Sequence, residues 1–159
     1  MIIYTIENMK LDMERALYGA HDCLIRNCTF DGPADGESAF KESKNVTVSD
    51  CLWRLRYPFW HDVGLEIARC ELTELCRAAL WYSEDIEIFD TKMHGIKALR
   101  ECRHITLRDV DTVSPEFGWF SKDIHMQHTA AAGEYFLMHS DRLHYMDVNL
   151  NGTYSLQSI

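Results

Sequence analysis

The 159-residue chain has a formal net charge of −9, which argues against nucleic acid or an anionic membrane surface as its main partner. Its apolar content of 47% and its length suit one folded domain with a substantial core. No apolar run reaches the length needed to cross a bilayer, and residues 1–15 lack the pattern of a secretory signal. We therefore expect a cytoplasmic protein.

The sequence is built from a repeat of roughly 20 residues. Each copy contains an apolar–polar–apolar triplet, which is the period-2 pattern of a half-buried strand. The triplets begin at eight positions: Tyr4, Cys23, Val46, Leu65, Ile86, Ile105, Ile124 and Leu143. The residue between the two apolar members is polar in seven copies, and it is predicted to point outward.

Turn residues flank the triplets in two columns. The column after the triplet reads Asn8, Asn27, Asp50, Arg69, Asp90, Asp109, His128 and Asp147. The column before it reads Asp22, Asn45, Gly64, Asp85, His104, Asp123 and Arg142. Asn and Asp tolerate left-handed backbone, so both columns indicate tight bends.

A second short strand follows each triplet, and a third precedes the next one. Three short strands per repeat, separated by bends, predict an all-β fold: a single-stranded parallel β-helix of about eight coils. The coils form one domain over residues 1–159, with residues 1–13 as an N-terminal cap and an incomplete coil at 153–159. A leucine-rich-repeat protein would need an L-x-x-L-x-L block that the sequence lacks.

The sequence of the repeats resembles that of an uncharacterised bacterial family of right-handed parallel β-helix proteins, domain-of-unknown-function family 3737, in the pectin-lyase-like superfamily. The segments that carry the resemblance are ERALYGAHDCLIRNCTFDG at 14–32, SAFKESKNVTVSDCLW at 38–53, YPFWHDVGLEIARCEL at 57–72 and AALWYSEDIEIFD at 78–90. The resemblance implies the fold and its right-handed sense, which the general preference of parallel crossovers also favours. It implies no reaction.

Two segments interrupt the repeat, and the chain stops shortly after a ninth coil begins. DGPADGES at 31–38 and TELCR at 73–77 are predicted to be surface loops, which in solenoids often lie on the binding face. The incomplete coil at 153–159 leaves apolar positions and strand edges open. We therefore expect a homo-oligomer that associates through the uncapped C-terminal end.

The cysteine, serine and histidine columns have structural explanations. Cys28, Cys51 and Cys70 share one inward column and are expected to be buried thiols, because their spacing does not suit zinc. Ser43, Ser83, Ser121 and Ser140 form a column that we expect to satisfy backbone groups at a bend. His125 and His144 are predicted to stack, but two ligands without a carboxylate or third histidine are too few, so no metal or cofactor is expected.

The strongest candidate for a binding surface is an outer column of aromatic and basic residues. It comprises Tyr18, Lys41, Trp60, Trp81, Arg100 and Trp119. Exposed aromatic surface often marks a binding site, and these rings suit the stacking of sugars. The alternative is a ladder of aromatic side chains that only stabilises neighbouring strands.

Glu66 and Glu87 are weak candidates for an acid–base pair, because they point outward from adjacent coils. Three functions therefore stay open. The first is a non-catalytic scaffold that binds carbohydrate or another partner on its aromatic face. The second, by analogy with polysaccharide lyases of this fold, is a glycan lyase or hydrolase. The third is a structural protein that assembles end to end.

Overall fold

The computed structural model describes residues 1–32 and 37–156. Within them the chain forms seventeen strands and no helix. The strands are β1 (Tyr4–Glu7), β2 (Lys10–Leu11), β3 (His21–Arg26), β4 (Thr29–Asp31), β5 (Lys44–Ser49), β6 (Leu52–Arg54), β7 (Phe59–Trp60), β8 (Val63–Ala68), β9 (Glu71–Leu72), β10 (Leu80–Trp81), β11 (Glu84–Phe89), β12 (Lys92–His94), β13 (Leu99–Arg100), β14 (Arg103–Arg108), β15 (Asp111–Val113), β16 (Lys122–Ala132) and β17 (Asp141–Asn151). No helix in the described part of the chain is long and apolar enough to cross a membrane.

The strands form a parallel β-solenoid of about eight coils, as the repeat predicts. The first face contains β1, β3, β5, β8, β11, β14 and the first half of β16, and the second contains β2, β4, β6, β9, β12, β15 and its second half. The third face is regular only at β7, β10 and β13, with isolated bridges in other coils. In the last two coils the first and second faces merge into the eleven-residue strands β16 and β17. The right-handed sense stays a prediction.

Strand register confirms the predicted alignment of the repeats. The outward residues of the first face pair coil to coil without a break. They are Thr5, Leu24, Thr47, Glu66, Glu87, Thr106, His125 and His144. Equivalent side chains therefore lie one strand spacing apart, about 4.8 Å, and we call this line the outward column.

Each coil turns at left-handed corners. Both predicted bend columns have positive φ throughout, for example 54° at Asp50 and 58° at Asp123. Two further corner columns have the same backbone geometry but carry no Asn or Asp signal. One includes Tyr57, Lys97 and Glu116, and the other includes His61, Tyr82, Glu101 and Phe120. These corners let 19 to 23 residues close one coil.

The core is a line of apolar side chains inside the coils, widest where large aromatic residues meet. Phe30 and Trp53 stack with ring centroids 3.9 Å apart, and Phe40 and Phe59 pack around them. All four are fully buried. The six cysteines are buried free thiols, which confirms the prediction for the inward column of Cys28, Cys51 and Cys70.

The serine column is buried and structural. Ser83 Oγ accepts the N–H of Asp62 at 3.0 Å, and Ser140 Oγ accepts the N–H of Ser121 at 3.2 Å. Asp62 occupies one position of this column, is 1% exposed, and accepts the Ser43 N–H at 2.8 Å through Oδ1. The hydroxyls of Ser83, Ser121 and Ser140 thus satisfy amides of the preceding coil, as expected, whereas Ser43 Oγ has no partner among the described residues.

Of the two predicted loops, the middle of 31–38 (residues 33–36) lies outside the described residues, as does the end of the coil at 153–159. Residues 73–77 form a turn beside β9, in which Leu75 is exposed and Cys76 is buried.

Candidate functional site

A shallow groove runs along the first face, across the strands. It encloses about 770 Å³. Its floor and walls come from the outward column and the corner column that precedes the triplets. The polar residues that line it are Asp22, Asn45, Thr47, Glu66, Asp85, Glu87, His104, Thr106, Asp123 and His125. Among the described residues no lysine or arginine lines the groove, so it is an acidic, histidine-containing surface.

Glu66 and Glu87 lie in the middle of this groove. Their backbone positions are directly opposite in β8 and β11, as predicted from the repeat. Glu66 is half-buried and Glu87 is exposed. Asp85 lies beside them in the groove lining, which gives the central groove three carboxylates in two neighbouring coils.

A cluster of histidines around Asp123 lies at one end of the groove. Asp123 Oδ2 is 2.7 Å from His104 Nδ1, and its Oδ1 is 3.1 Å from His125 Nε2. The His125 and His144 rings stack with centroids 4.5 Å apart and planes 9° apart. Ligand atoms of Asp123, His125 and His144 all lie within 4.8 Å of one another. We call these three residues together with His104 the histidine cluster.

The surroundings of Asp123 favour the ionised form of its carboxyl group. The hydrogen bond from His104, followed by that from His125, lowers the pKa of Asp123 below its usual value. Its side chain is 29% exposed, and both histidines are about half exposed. The carboxylate is therefore accessible and ionised at neutral pH.

This cluster was not predicted from the sequence. The predicted stacking of His125 and His144 is confirmed, but the premise that no carboxylate was near them is wrong, because Asp123 lies beside both. Asp123 and His104 were assigned to bends alone. The spacing alone could not reveal the cluster, because Asp123 is a corner residue with a φ of 58°, where the alternation of a regular strand does not determine the direction of the side chain.

The aromatic face is a second candidate site, on the third face of the coils. Trp60 and Trp81 stack with centroids 5.5 Å apart and planes 11° apart. Lys41 Nζ lies 4.5 Å from the centre of the Trp60 ring. Arg100 lies between Trp81 and Trp119, with its guanidinium carbon 5.7 Å and 6.0 Å from the two rings. Cations and rings therefore follow one another along the column.

Neighbouring corner residues widen this face. Tyr82 stacks on His61 with centroids 5.0 Å apart, and Phe120 stacks on His139 at the same distance. Tyr18 OH donates a hydrogen bond to Glu42. Tyr18, Tyr82 and Phe120 are 51%, 41% and 47% exposed. The outer rings therefore offer more surface than the tryptophans do.

Trp60 and Trp81 are only half-buried, but their ring planes face neighbours of the same column. The ladder of stacked side chains foreseen as the alternative to a binding surface is therefore present. It does not exclude binding, because the exposed rings of Tyr82 and Phe120 flank it.

A family model described as protein of unknown function (DUF3737) matches residues 4–159. The chain belongs to the DUF3737 family. A search of curated proteins found no match. The family has no established activity from which a residue's role in this DUF3737 chain could be taken, so its sites must be judged by their own geometry.

The predicted site residues of this DUF3737 chain fall on two separate surfaces. The structure brings Lys41, Trp60, Trp81, Arg100 and Trp119 into one continuous row. Tyr18 continues the same column next to the Arg15 side chain. Glu66 and Glu87 lie instead in the groove of the first face. Their roles in binding or catalysis stay predictions.

Proposed function

We propose that this protein is a non-catalytic scaffold that binds carbohydrate on its aromatic face. The observation that carries the proposal is the row of rings and cations from Lys41 to Trp119, flanked by the exposed rings of Tyr82 and Phe120. Sugar rings have apolar faces that pack on aromatic surface, and their hydroxyl or carboxyl groups suit Lys and Arg as hydrogen-bond donors. A cytoplasmic location is part of the proposal, because six free thiols suit a reducing compartment.

The dimensions of the face favour an extended ligand. Five coil steps separate Tyr18 from Trp119, which corresponds to about 24 Å at one strand spacing per step. A single sugar would cover only a fraction of this length. We therefore propose an oligosaccharide aligned with the solenoid axis, which contacts the outer rings and the Lys41 and Arg100 head groups.

A glycan screen with the purified chain tests this proposal. Binding is expected to change tryptophan fluorescence, since Trp60, Trp81 and Trp119 belong to the face. The double variant Tyr82→Ala/Phe120→Ala should weaken binding at least tenfold while the β-rich circular dichroism spectrum is kept. Val113→Ala removes an equally exposed apolar side chain outside the aromatic face and serves as the matched control. Unchanged affinity in the double variant would refute the proposal.

A second candidate is cleavage of a glycan in the groove of the first face, as a pectin-lyase-like enzyme would perform. The in-register pair Glu66 and Glu87, with Asp85 beside them, favours it. The groove lacks a lysine or arginine that could serve as a lyase base among the described residues, so hydrolysis fits better than elimination. The test is the release of oligosaccharides from polysaccharides, with Glu87→Gln expected to abolish it and Glu71→Gln, which changes an exposed carboxylate of β9 outside the groove, as the control.

A third candidate is assembly through the C-terminal end. β17 is an eleven-residue strand that pairs with β16 on one side only among the described strands, and Tyr145 and Met146 on it are exposed. A second copy could add its own β17 to this edge about a two-fold axis. Light scattering over a hundredfold range of concentration tests it, and a constant monomer mass would exclude it.

A further inference from the structure

We propose that Asp123, His125 and His144 bind one divalent transition-metal ion of the Zn²⁺ class at the end of the groove. The proposal is independent of carbohydrate binding, because the aromatic face lies on another side of the coil. Two imidazoles and one carboxylate are a ligand set of catalytic zinc sites and of related Fe²⁺ sites.

The backbone brings the three ligands together. His125 and His144 are directly opposite in β16 and β17, so their side chains start one strand spacing apart. Asp123 precedes His125 by two residues in β16, and its corner position leaves its carboxylate beside the His125 ring. The three groups are thus held by two adjacent strands that pair over nine residue positions.

The distances need only a small side-chain adjustment to enclose an ion. A site with metal–ligand distances of about 2.1 Å places its ligand atoms roughly 3.4 Å apart, whereas the present atoms lie within 4.8 Å of one another. His125 and His144 are exposed on the surface, so rotation of their side chains meets little steric resistance.

His104 has the position of a residue that orients a metal ligand. It contacts Asp123 Oδ2 at 2.7 Å, while the other oxygen, Oδ1, faces His125. In metal sites a ligating carboxylate is commonly fixed by such a hydrogen bond from outside the ligand set. We therefore assign His104 as a positioning residue.

The ligand chemistry and the surroundings select the class of ion. Ca²⁺ takes six to eight oxygen ligands, and Mg²⁺ prefers oxygen in octahedral geometry, so a set with two imidazoles suits neither. In the described part of the chain, no lysine or arginine lines the groove or the adjoining small depression around His144. Arg142, which follows Asp123 in the corner column, pairs with Asp141 at 3.3 Å. Three protein ligands leave a coordination position for water or a ligand in the groove.

The test is Zn²⁺ titration of the tag-free full chain by calorimetry, with excess Ca²⁺ and Mg²⁺ present. One Zn²⁺ per chain is expected. His125→Ala and His144→Ala should each weaken Zn²⁺ binding at least a hundredfold, and His104→Gln should weaken it about tenfold. The matched control is His128→Gln, which removes a histidine paired with a single carboxylate, Asp147, at 3.3 Å, and it should leave the affinity unchanged.

Co²⁺ substitution provides a second readout that separates this site from the cysteines. The Co²⁺-loaded chain is expected to show d–d absorption without the charge-transfer band of a thiolate ligand. A thiolate band would assign the ion to the cysteine column and overturn the proposal. Absence of Zn²⁺ binding, or binding with equal affinity in the wild type and in His144→Ala, would overturn it as well.

Discussion

Replacing Asp62 by Asn should stabilise the protein, and the gain should grow as the pH rises. Asp62 is buried within the serine column, and only one of its carboxyl oxygens has a hydrogen-bond partner among the described residues: Oδ1, which accepts the Ser43 N–H. Burial raises the pKa of Asp62 from 3.8 to about 8, against the opposing effect of the Ser43 amide. The native state therefore favours the neutral carboxyl group.

Proton linkage determines the direction in which the stability changes with pH. Between the unfolded pKa of 3.8 and the folded pKa of about 8, the native state binds more protons than the unfolded state does. The free energy of unfolding must therefore fall as the pH rises through this window, by at most about 1.4 kcal/mol per pH unit. Between pH 5 and 7 the loss attributable to Asp62 is thus up to about 3 kcal/mol. Well below pH 3.8, where the group is protonated in both states, the effect is absent.

The assay is urea denaturation of the wild type, Asp62→Asn and Asp62→Ser at pH 5, 6 and 7 under reducing conditions. The difference in unfolding free energy between variant and wild type isolates Asp62, because other titrating groups cancel. Serine should be tolerated, since the equivalent position of four other coils is serine: Ser43, Ser83, Ser121 and Ser140. The control is Asp50→Asn, which makes the same change at an exposed residue paired with Arg69.

A difference that stays constant from pH 5 to 7 would refute this reasoning. It would mean that Asp62 has the same pKa in the folded and unfolded states, so burial would not control its protonation. A variant that becomes less stable relative to the wild type as the pH rises would show that the ionised carboxylate is stabilised in the fold.

Three further predictions concern stability measured by the same denaturation assay at pH 6. Trp53→Ala should lower the free energy of unfolding by about 3–5 kcal/mol, because it leaves a cavity among the aromatic side chains of the core. Trp60→Ala on the outer face should lower it by less than half as much. Equal losses of stability would contradict the positions assigned to the two residues. Gly133→Ala should cost about 3 kcal/mol, because its φ of 149° suits only glycine and a Cβ would overlap a backbone carbonyl of the preceding coil. Gly64→Ala should cost only about 1 kcal/mol, because other coils carry larger residues at this corner. A larger loss of stability for Gly64→Ala than for Gly133→Ala would refute this account. Arg69→Ala removes an exposed ion pair with Asp50 and should lower the stability only slightly, and less at high salt; a large, salt-independent loss would show that the side chain contributes through packing.

The sequence predicted the fold well because the repeat imposes the register. Tyr4, Cys23 and Val46 were aligned on apolar–polar–apolar spacing alone, and the paired strands place them opposite one another. The Asn and Asp corners were also predictable, because these residue types tolerate positive φ. Arg69 and His128, which stand in this column in place of Asn or Asp, also have positive φ, of 52° and 48°.

The other two corners could not be predicted from residue types. Tyr57, Tyr82 and Lys97 adopt positive φ although left-handed backbone costs such residues roughly 1–2 kcal/mol each. The stacked coils impose this geometry, since each corner amide donates to a carbonyl of the following coil; Tyr57 N–H, for example, donates to Arg77 O at 3.0 Å. Local preference is overridden by a hydrogen-bond ladder that exists only after the coils have stacked.

The two candidate sites differ in the same way: the repeat register predicts one of them and not the other. The aromatic row was predictable because its members share one column, and stacking along the axis follows from register alone. The histidine cluster joins two different columns, and their lateral proximity depends on how the corner at Asp123 directs its side chain. Column assignments from sequence give the neighbours along the axis but not those across it.

The regular spacing of the last coils explains why the histidine cluster lies where it does. His104 and Asp123 are 19 residues apart, as are His125 and His144, so each pair stacks directly across one coil step. The longer steps of the repeat occur earlier, where residues are inserted between the triplets at Cys23 and Val46 and between those at Leu65 and Ile86. Insertions at those points leave the local register of the later coils intact. A single residue inserted within β17 directly before His144 would instead shift His144 to the opposite side of its strand and separate the ligands, whereas one inserted between Cys76 and Ala78 would lengthen a turn and leave the cluster in place.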